Sequence, residues 1–368
     1  MRIVHVDTGS EMRGGQQQIL LLARGLAERG HQQVLVCPDG SPLAARAGQE
    51  GFQVFGLPEH DPGRAHGIVQ LRQFLIATVV DIVHAHDGRG QTIAWLASLG
   101  LDLRRIASRR VTFVPRQRWI YRLKYSRTCH AVIAISECVR GLLLEAGVPA
   151  GKIAVIPDGV EIPEVLADSA LRGCVRARWG FGADEFVVGH LGASSYEKGQ
   201  AIAMEAAQIL AQKCPRARVV IAGTDPPPAP AAPPTVRLLG YQGNLQEFFG
   251  GLDLYLMPSR AEGLGSSALL AMAHGLAVAA TRVGGLPEIV TPGETGWLVP
   301  PDSPLALAEA ITLAASDPIL LAEYGRRSRE RARQFSSMMM VERTADLYRR
   351  LHAQAGASSR AKSVVPAV

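Results

Sequence analysis

Aromatic residues are scarce in this sequence, 5% of 368, and that scarcity argues against a surface on which successive nucleic-acid bases would stack. No apolar run reaches the ~18 residues that a bilayer-spanning helix needs. The N-terminus, MRIVHVDTGS, alternates like a first β-strand. It has neither the continuous apolar stretch nor the cleavage site of a secretory leader, so a cytoplasmic protein is expected. The five cysteines, Cys37, Cys129, Cys138, Cys174 and Cys214, never form a C-x-x-C pair. Neither a disulfide framework nor a zinc centre is indicated, and reduced structural thiols are expected. No G-x-G-x-x-G follows the first strand, which weakens a nicotinamide-dependent oxidoreductase. Carboxylates are absent from residues 104–127, a stretch running from Arg104 to Arg127 with eight Arg, one Lys and interleaved Phe113, Trp119, Tyr121 and Tyr125. In a chain of net charge +6 such a stretch suits nucleic acid, an acidic substrate or anionic lipid headgroups, and a merely solvated basic face suits it as well. With no nucleic-acid motif beside it, a membrane surface or a phosphorylated acceptor is the preferred partner.

What the sequence does have is βαβ grammar, twice. Its length exceeds the usual span of one hydrophobic core, so two domains are expected. The first, residues 1–162, opens with a strand at 2–7, a glycine loop at 9–15 and a helix at 16–29. Ile19, Leu22, Ala23 and Leu26 recur there at helical spacing, and Gly30 stands at a C-terminal cap position. Strands follow at 33–37, 82–86, near Ile106, at 131–135 and at 154–157, with helices after Gly90 and at 136–146. The turn Pro157-Asp158-Gly159 and the region of Pro163 read as a connection. The second domain, residues 163–335, carries strands at 186–191, 218–222, 236–239, 252–257 and 276–280, and helices at 199–213 and 266–273. Its loop 224–235 contains six prolines and reads as an extended surface insertion. Helical patterns occupy 305–315 and 320–350. Residues 336–353 are expected to cross back to the first domain, and 354–368 to form a disordered tail.

Residues 258–288 place an isolated carboxylate, Glu262, on a glycine-bearing loop between two buried-looking segments. Strand, glycine loop, helix and strand put ligands at the carboxyl ends of parallel strands. Three elements point to anion binding: Gly14-Gly15 ahead of the first helix, Lys198 ahead of the helix after Gly199, and the loop from Gly263 to Ser266. Free backbone N–H groups and the helix dipole suit a phosphate at such places. Each alone is weak, and glycines are turn residues more often than phosphate cradles. In this order they favour a nucleotide diphosphate.

Read in series, the strings MRIVHV, LARGLAERGH, DIVHAHD, VIPDGV, YEKGQ, GYQGNLQEFFGGLDLYLMPSRAEGLG, VGGLPEIV and GETGWLVP resemble the GT-B fold glycosyltransferases, specifically the retaining group called family 4. The resemblance implies an α/β protein of two Rossmann-like domains facing each other across a cleft, with a C-terminal helix packing back on the N-terminal domain. It implies transfer of a sugar from a nucleotide diphosphate sugar to a glycan or lipid-linked acceptor, such as a lipopolysaccharide or exopolysaccharide precursor. No cofactor and no metal are implied, and the absence of an Asp-x-Asp triplet fits that.

By position, the resemblance makes Glu262 the carboxylate at the donor sugar and Lys198 the diphosphate cation. Gly192, Gly263, Leu264, Gly265 and Ser266 would contact the donor, with Gly14 and Gly15 near the phosphate or the acceptor hydroxyl. Tyr241 and Leu245 would line the base pocket. His86 and Asp87, at the end of the DIVHAHD strand, would orient the acceptor, with His86 a catalytic candidate. Arg109 and Arg110 stand where some relatives carry a histidine in the cleft. Two positions depart from the pattern: Ala193 replaces an arginine five residues before the lysine, and Leu270 replaces a glutamate eight residues after Glu262. With no second carboxylate in evidence as a nucleophile, front-face substitution guided by the leaving phosphate is the expected route. A non-catalytic nucleotide- or glycan-binding protein of the same fold, and a nucleotide-sugar epimerase, stay open as alternatives.

Overall fold

The computed structural model describes residues 1–58, 65–113, 118–223 and 233–363, with the side chains of Arg118, Ile120 and residues 355–363 left aside. The proline-rich loop lies almost wholly outside the described residues, at 224–232. Two compact units result: Met1–Gly159 with Ser337–Val368, and Val160–Ser336.

The first unit is a parallel sheet of seven strands: β1 (Arg2–Val6), β2 (Gln32–Pro38), β3 (Gln53–Leu57), β4 (Ile82–Ala85), β5 (Arg104–Arg109), β6 (Ala131–Ala134) and β7 (Ile153–Val155). Their spatial order is β3-β2-β1-β4-β5-β6-β7. The central strands are buried on both faces, and so read as apolar runs without alternation. The order of strand addition reverses between β1 and β4, which run parallel with His5 paired to His84 and Val6 to Ala85. Crevices at such switch points are where α/β sheets take ligands.

The second unit repeats the plan with six parallel strands: β8 (Phe186–Leu191), β9 (Ala217–Ala222), β10 (Val236–Leu238), β11 (Leu254–Met257), β12 (Ala277–Thr281) and β13 (Gly296–Val299), ordered β10-β9-β8-β11-β12-β13. Its switch point lies between β8 and β11. Asp253 locks that junction, accepting from Arg172 Nη1 at 2.9 Å, Arg176 Nη2 at 2.6 Å and Val187 N at 2.7 Å. Three donors keep a mostly buried carboxylate satisfied just where two strands begin.

The helical pattern expected as one segment over 320–350 is two helices, Pro318–Arg333 and Ser337–Ser363, broken at 334–336. The first belongs to the second unit and the other to the first. The apolar period continues across the break, so periodicity alone could not reveal it. Ser337–Ser363 packs on the first helix, Gly14–Glu28, so closely that a Cβ on Gly25 would come within 2.6 Å of Val341. Met340, Val341, Tyr348 and Leu351 share a core there with Ile3, Leu22 and Leu26. This helix also runs through residues 354–363, where an unstructured tail was expected; three of those ten residues are alanine, the best helix former. The remainder of that tail, 364–368, lies outside the described residues. No single described helix is long and apolar enough to cross a membrane.

Candidate functional site

In the second unit the loops after β8 and β11 meet at the switch point. Gly199 has φ of 67°, and a Cβ there would strike Pro258 O at 2.0 Å. Only glycine lets the turn carrying Lys198 press against the loop carrying Glu262. The result is an ion pair, with Lys198 Nζ 2.7 Å from Glu262 Oε1. Ser259 Oγ donates to the same oxygen at 2.8 Å. Both bonds fall on Oε1, and Oε2 has no protein hydrogen bond among the described residues. Glu262 is 8% exposed and Lys198 30%, so the pair is shielded yet open on the ammonium side.

The backbone around Glu262 is equally constrained. Gly284, at φ 54°, sits so close that a Cβ would lie 1.7 Å from Glu262 O, and Gly285 N donates to that oxygen at 3.3 Å. Gly265, at φ 102°, opens the helix Ser266–Ala273 without a side-chain cap. The first N–H groups of that helix therefore face away from any side-chain acceptor of its own, a favourable place for a phosphate. Gly192 follows β8, and a Cβ on it would lie 3.5 Å from Lys198 Cδ. Leu264 is buried. Gly192, Lys198, Glu262, Gly263, Leu264, Gly265 and Ser266 thus converge, while Tyr241 is exposed on the loop after β10 and Leu245 opens the helix Leu245–Gly250.

Arg260 is a residue the sequence reading passed over. Its Nη1 donates to Tyr196 O at 3.1 Å, its N to Glu197 O at 2.7 Å, and its guanidinium lies 4.1 Å from the centre of the Tyr196 ring. Nε donates to Asp302 at 2.6 Å. These bonds tie the Lys198 turn to the Glu262 loop from the other side. Ser259 was missed as well. Its signal was only adjacency, three residues ahead of Glu262 in PSRAEG.

His190, at the end of β8, is fully buried, with Nδ1 bonded to Leu256 O at 3.1 Å and Nε2 unpartnered among the described residues. Burial, against a raising effect of the Leu256 hydrogen bond, pushes its pKa down from 6.5 to about 4. An unfolded chain takes up this proton near pH 6.5, whereas the fold resists until about 4. The group's contribution is therefore intact above pH 6.5, lost progressively between 6.5 and 4, and constant below. For a fully buried site this is worth about 3 kcal/mol. His190→Gln should lose correspondingly less stability between pH 7.5 and 4.5 in urea titrations.

At the first unit's switch point, a connected set of hydrogen bonds replaces an open site. Because a guanidinium only donates, Arg110 Nη1 bonds His86 Nδ1, at 3.2 Å, as acceptor. His86 Nε2–H must then donate to His5 Nδ1 at 2.9 Å, and His5 Nε2–H to Gln33 Oε1 at 2.8 Å. His84 is bonded to Tyr348 Oη at 2.6 Å and Ser108 Oγ at 2.8 Å. The three histidines lie close enough to hold a metal ion, yet all six ring nitrogens already have protein partners. Burial holds all three pKa values low, with the Arg110 charge adding to this. The cluster is a neutral hydrogen-bond chain rather than a vacant ligand set.

In this structure both His86 nitrogens have protein partners, His5 and Arg110. Arg110 is held from its other side by Asp158, at 3.1 Å, a residue read from sequence only as part of a turn. Asp87 is also committed: its oxygens accept from Thr8 N, Thr8 Oγ1, Arg89 N and Gly90 N at 2.6 to 3.0 Å. Three of these donors converge on Oδ1 and one meets Oδ2. Asp87 thus caps the helix Gly88–Ala97 and ties it to the loop after β1. Arg109 faces elsewhere, over the Tyr121 ring. What stays available is Arg110 beside Gly14 and Gly15. A Cβ on Gly14 would meet nothing within 4 Å, and one on Gly15 only Arg110 Cδ at 4.0 Å. Packing does not demand these glycines, and the space they leave lies at a helix N-terminus.

Comparison with known proteins bears on both units. A family described as "Glycosyltransferase Family 4" matches residues 12–163, and one described as "Glycosyl transferases group 1" matches residues 185–317. The D-inositol 3-phosphate glycosyltransferase of Streptomyces avermitilis is 26% identical over 332 residues, covering 81% of this chain and 71% of that protein. An alpha-maltose-1-phosphate synthase of Mycobacterium tuberculosis is 39% identical over 116 residues, 30% of either chain. Among solved structures, HepE of Anabaena in complex with UDP-glucose superposes with a TM-score of 0.84 at 21% identity, covering 94% of this chain and 99% of that one. WaaG, a glycosyltransferase involved in lipopolysaccharide biosynthesis, does so with a TM-score of 0.73 at 16% identity, covering 95% and 99%.

Proposed function

Because the chain belongs to the group 1, family 4 glycosyltransferases and has their GT-B fold, we propose that it is a retaining enzyme that moves a sugar from a nucleotide diphosphate sugar to a glycan or lipid-linked acceptor. The observation that carries the donor half is the Lys198–Glu262 pair at the switch point of β8 and β11, beside the uncapped N-terminus of Ser266–Ala273. Departure of a nucleoside diphosphate builds negative charge on its β-phosphate. A positioned ammonium and helix amides stabilise that charge where it develops. Lys198 would turn from Glu262 to the phosphate as the donor enters, and the released carboxylate, with Oε2 already open, would accept from sugar hydroxyls. Leaving-group oxygens would then receive the proton of the attacking acceptor hydroxyl on the same face. No resident metal is assigned to this step. Ala193 leaves the clamp one cation short and Leu270 leaves the ribose without a carboxylate, which predicts modest donor affinity rather than loss of chemistry.

Arg110, with Gly14 and Gly15, is the acceptor-side candidate, matched to an acidic or phosphorylated acceptor. We further assign the enzyme to the cytoplasmic face of a membrane, where lipid-linked glycans are extended; the free cysteines and the basic helix Arg118–Thr128 support this. Thermal melts against nucleoside diphosphates and their sugars test the donor. A ligand at a hundredfold excess over its Kd should add about 2.7 kcal/mol of apparent stability. Transfer should persist in EDTA, and strict dependence on a divalent ion would overturn the metal-free route. Binding without transfer or hydrolysis across the panel would favour the non-catalytic alternative.

A further inference from the structure

The basic stretch between Arg104 and Arg127 is not one surface. Arg104 Nε donates to Leu351 O at 3.1 Å and Arg105 Nε to Thr128 O at 2.8 Å. Arg109 lies over the Tyr121 ring, and Arg110 stands apart at the first unit's switch point beside His86 and Asp158. Residues 114–117 lie outside the described residues. What remains is the helix Arg118–Thr128, and it sorts its side chains by face. Tyr121 and Tyr125 are buried, their rings 4.8 Å apart. Trp119, Arg122, Leu123, Ser126 and Arg127 recur at helical spacing and, with Pro149, line a surface groove of about 480 Å³.

That groove combines chemistries that are rarely left in water together. Trp119 is 69% exposed and Leu123 52%, with Phe113 nearby in sequence at 72%. Arg122 and Arg127 are exposed beside them, and no carboxylate lines the groove. Apolar tips flanked by cations match an acyl boundary beneath a layer of phosphates. A nucleic acid would use flat rings for stacking, and Leu123 and Pro149 offer none. We propose that this groove seats the headgroup of an anionic phospholipid, with Arg122 and Arg127 on the phosphate and Trp119 and Leu123 entering the acyl boundary. The proposal deepens the membrane part of the function above and does not depend on the transfer chemistry.

Sedimentation with vesicles tests it, using phosphatidylcholine alone and phosphatidylcholine with phosphatidylglycerol. The wild-type chain should pellet only with the anionic vesicles, and added salt should weaken the binding. Loss of an arginine at an anionic surface is worth about fivefold, so Arg122→Ala with Arg127→Ala should weaken binding about thirtyfold. Trp119→Ala with Leu123→Ala should weaken it several-fold without removing the preference for anionic lipid. Arg343→Ala with Arg350→Ala, which removes the same charge from exposed positions on the C-terminal helix, should change it less than twofold. Donor hydrolysis in the absence of vesicles should be equal in all variants, which separates this site from the transfer site. Inorganic phosphate at millimolar concentration should not compete. Equal binding by the groove and control pairs, competition by phosphate, or wild-type chain that ignores anionic vesicles would overturn the proposal, the last pointing to an acidic protein instead.

Discussion

Glu262→Gln is expected to reduce sugar transfer about a thousandfold while leaving nucleoside diphosphate binding intact or tighter. The geometry separates the two effects. Without donor, Glu262 Oε1 neutralises the Lys198 ammonium at 2.7 Å, so an entering diphosphate must compete with a counterion belonging to the protein. Unit charges at such a distance attract by ~6 kcal/mol at an effective dielectric near 20. Lys198 is 30% exposed, so solvent screens much of that. A gain of about tenfold in diphosphate affinity is the expected remainder, ~1.4 kcal/mol. Glutamine keeps the shape of the side chain and can accept the Ser259 hydrogen bond, so the fold should melt within about a degree of wild type. The loss then falls on the step in which charge develops at the sugar. Isothermal titration with the diphosphate beside initial rates with the donor checks both halves. A fully active variant would remove Glu262 from the chemistry. Weaker diphosphate binding would show that the carboxylate orients Lys198 rather than competing for it.

The sequence made the strands of both units readable because they are buried on both faces and appear as short apolar runs: 186–191 was expected and Phe186–Leu191 is found. Helices without a broad apolar face escaped it. Ser169–Trp179 buries only Val175 and Arg176, and Arg118–Thr128 looked like a charge run because its buried residues are tyrosines. The donor residues were legible for a different reason: Lys198, Glu262 and Gly265 sit on loops whose glycines are needed for positive φ or close approach, and such glycines stand out in one dimension. The first unit's site was not legible in that way. His86, Asp87, Arg109 and Arg110 are adjacent pairs in sequence, yet each pair divides its duties. Which arginine meets His86 and Asp158, and whether a carboxylate already has four donors, depends on partners dozens of residues away. Sequence spacing carries no information about those partners.

Lys198→Ala should lower kcat by roughly 10²–10³-fold and weaken nucleoside diphosphate binding, while leaving the affinity for the nucleoside nearly unchanged. The second unit offers few cations at this point. Ala193 supplies none. Arg260 is engaged with Asp302, with Tyr196 O and with the face of the Tyr196 ring, so it braces the turn instead of reaching a phosphate. That leaves Lys198 and the amides after Gly265 to meet the leaving group, and amides carry only partial charge. Loss of the lysine also strands Glu262, a mostly buried carboxylate that would keep Ser259 as its side-chain donor. A diphosphate would then approach an uncompensated negative charge. The double variant Lys198→Ala with Glu262→Gln removes that repulsion. It should recover diphosphate affinity relative to Lys198→Ala without recovering turnover, a non-additivity that two independent sites would not produce. Equal diphosphate affinity in wild type and Lys198→Ala would overturn the clamp. Additive losses in the double variant would show that the two side chains act separately despite their 2.7 Å contact.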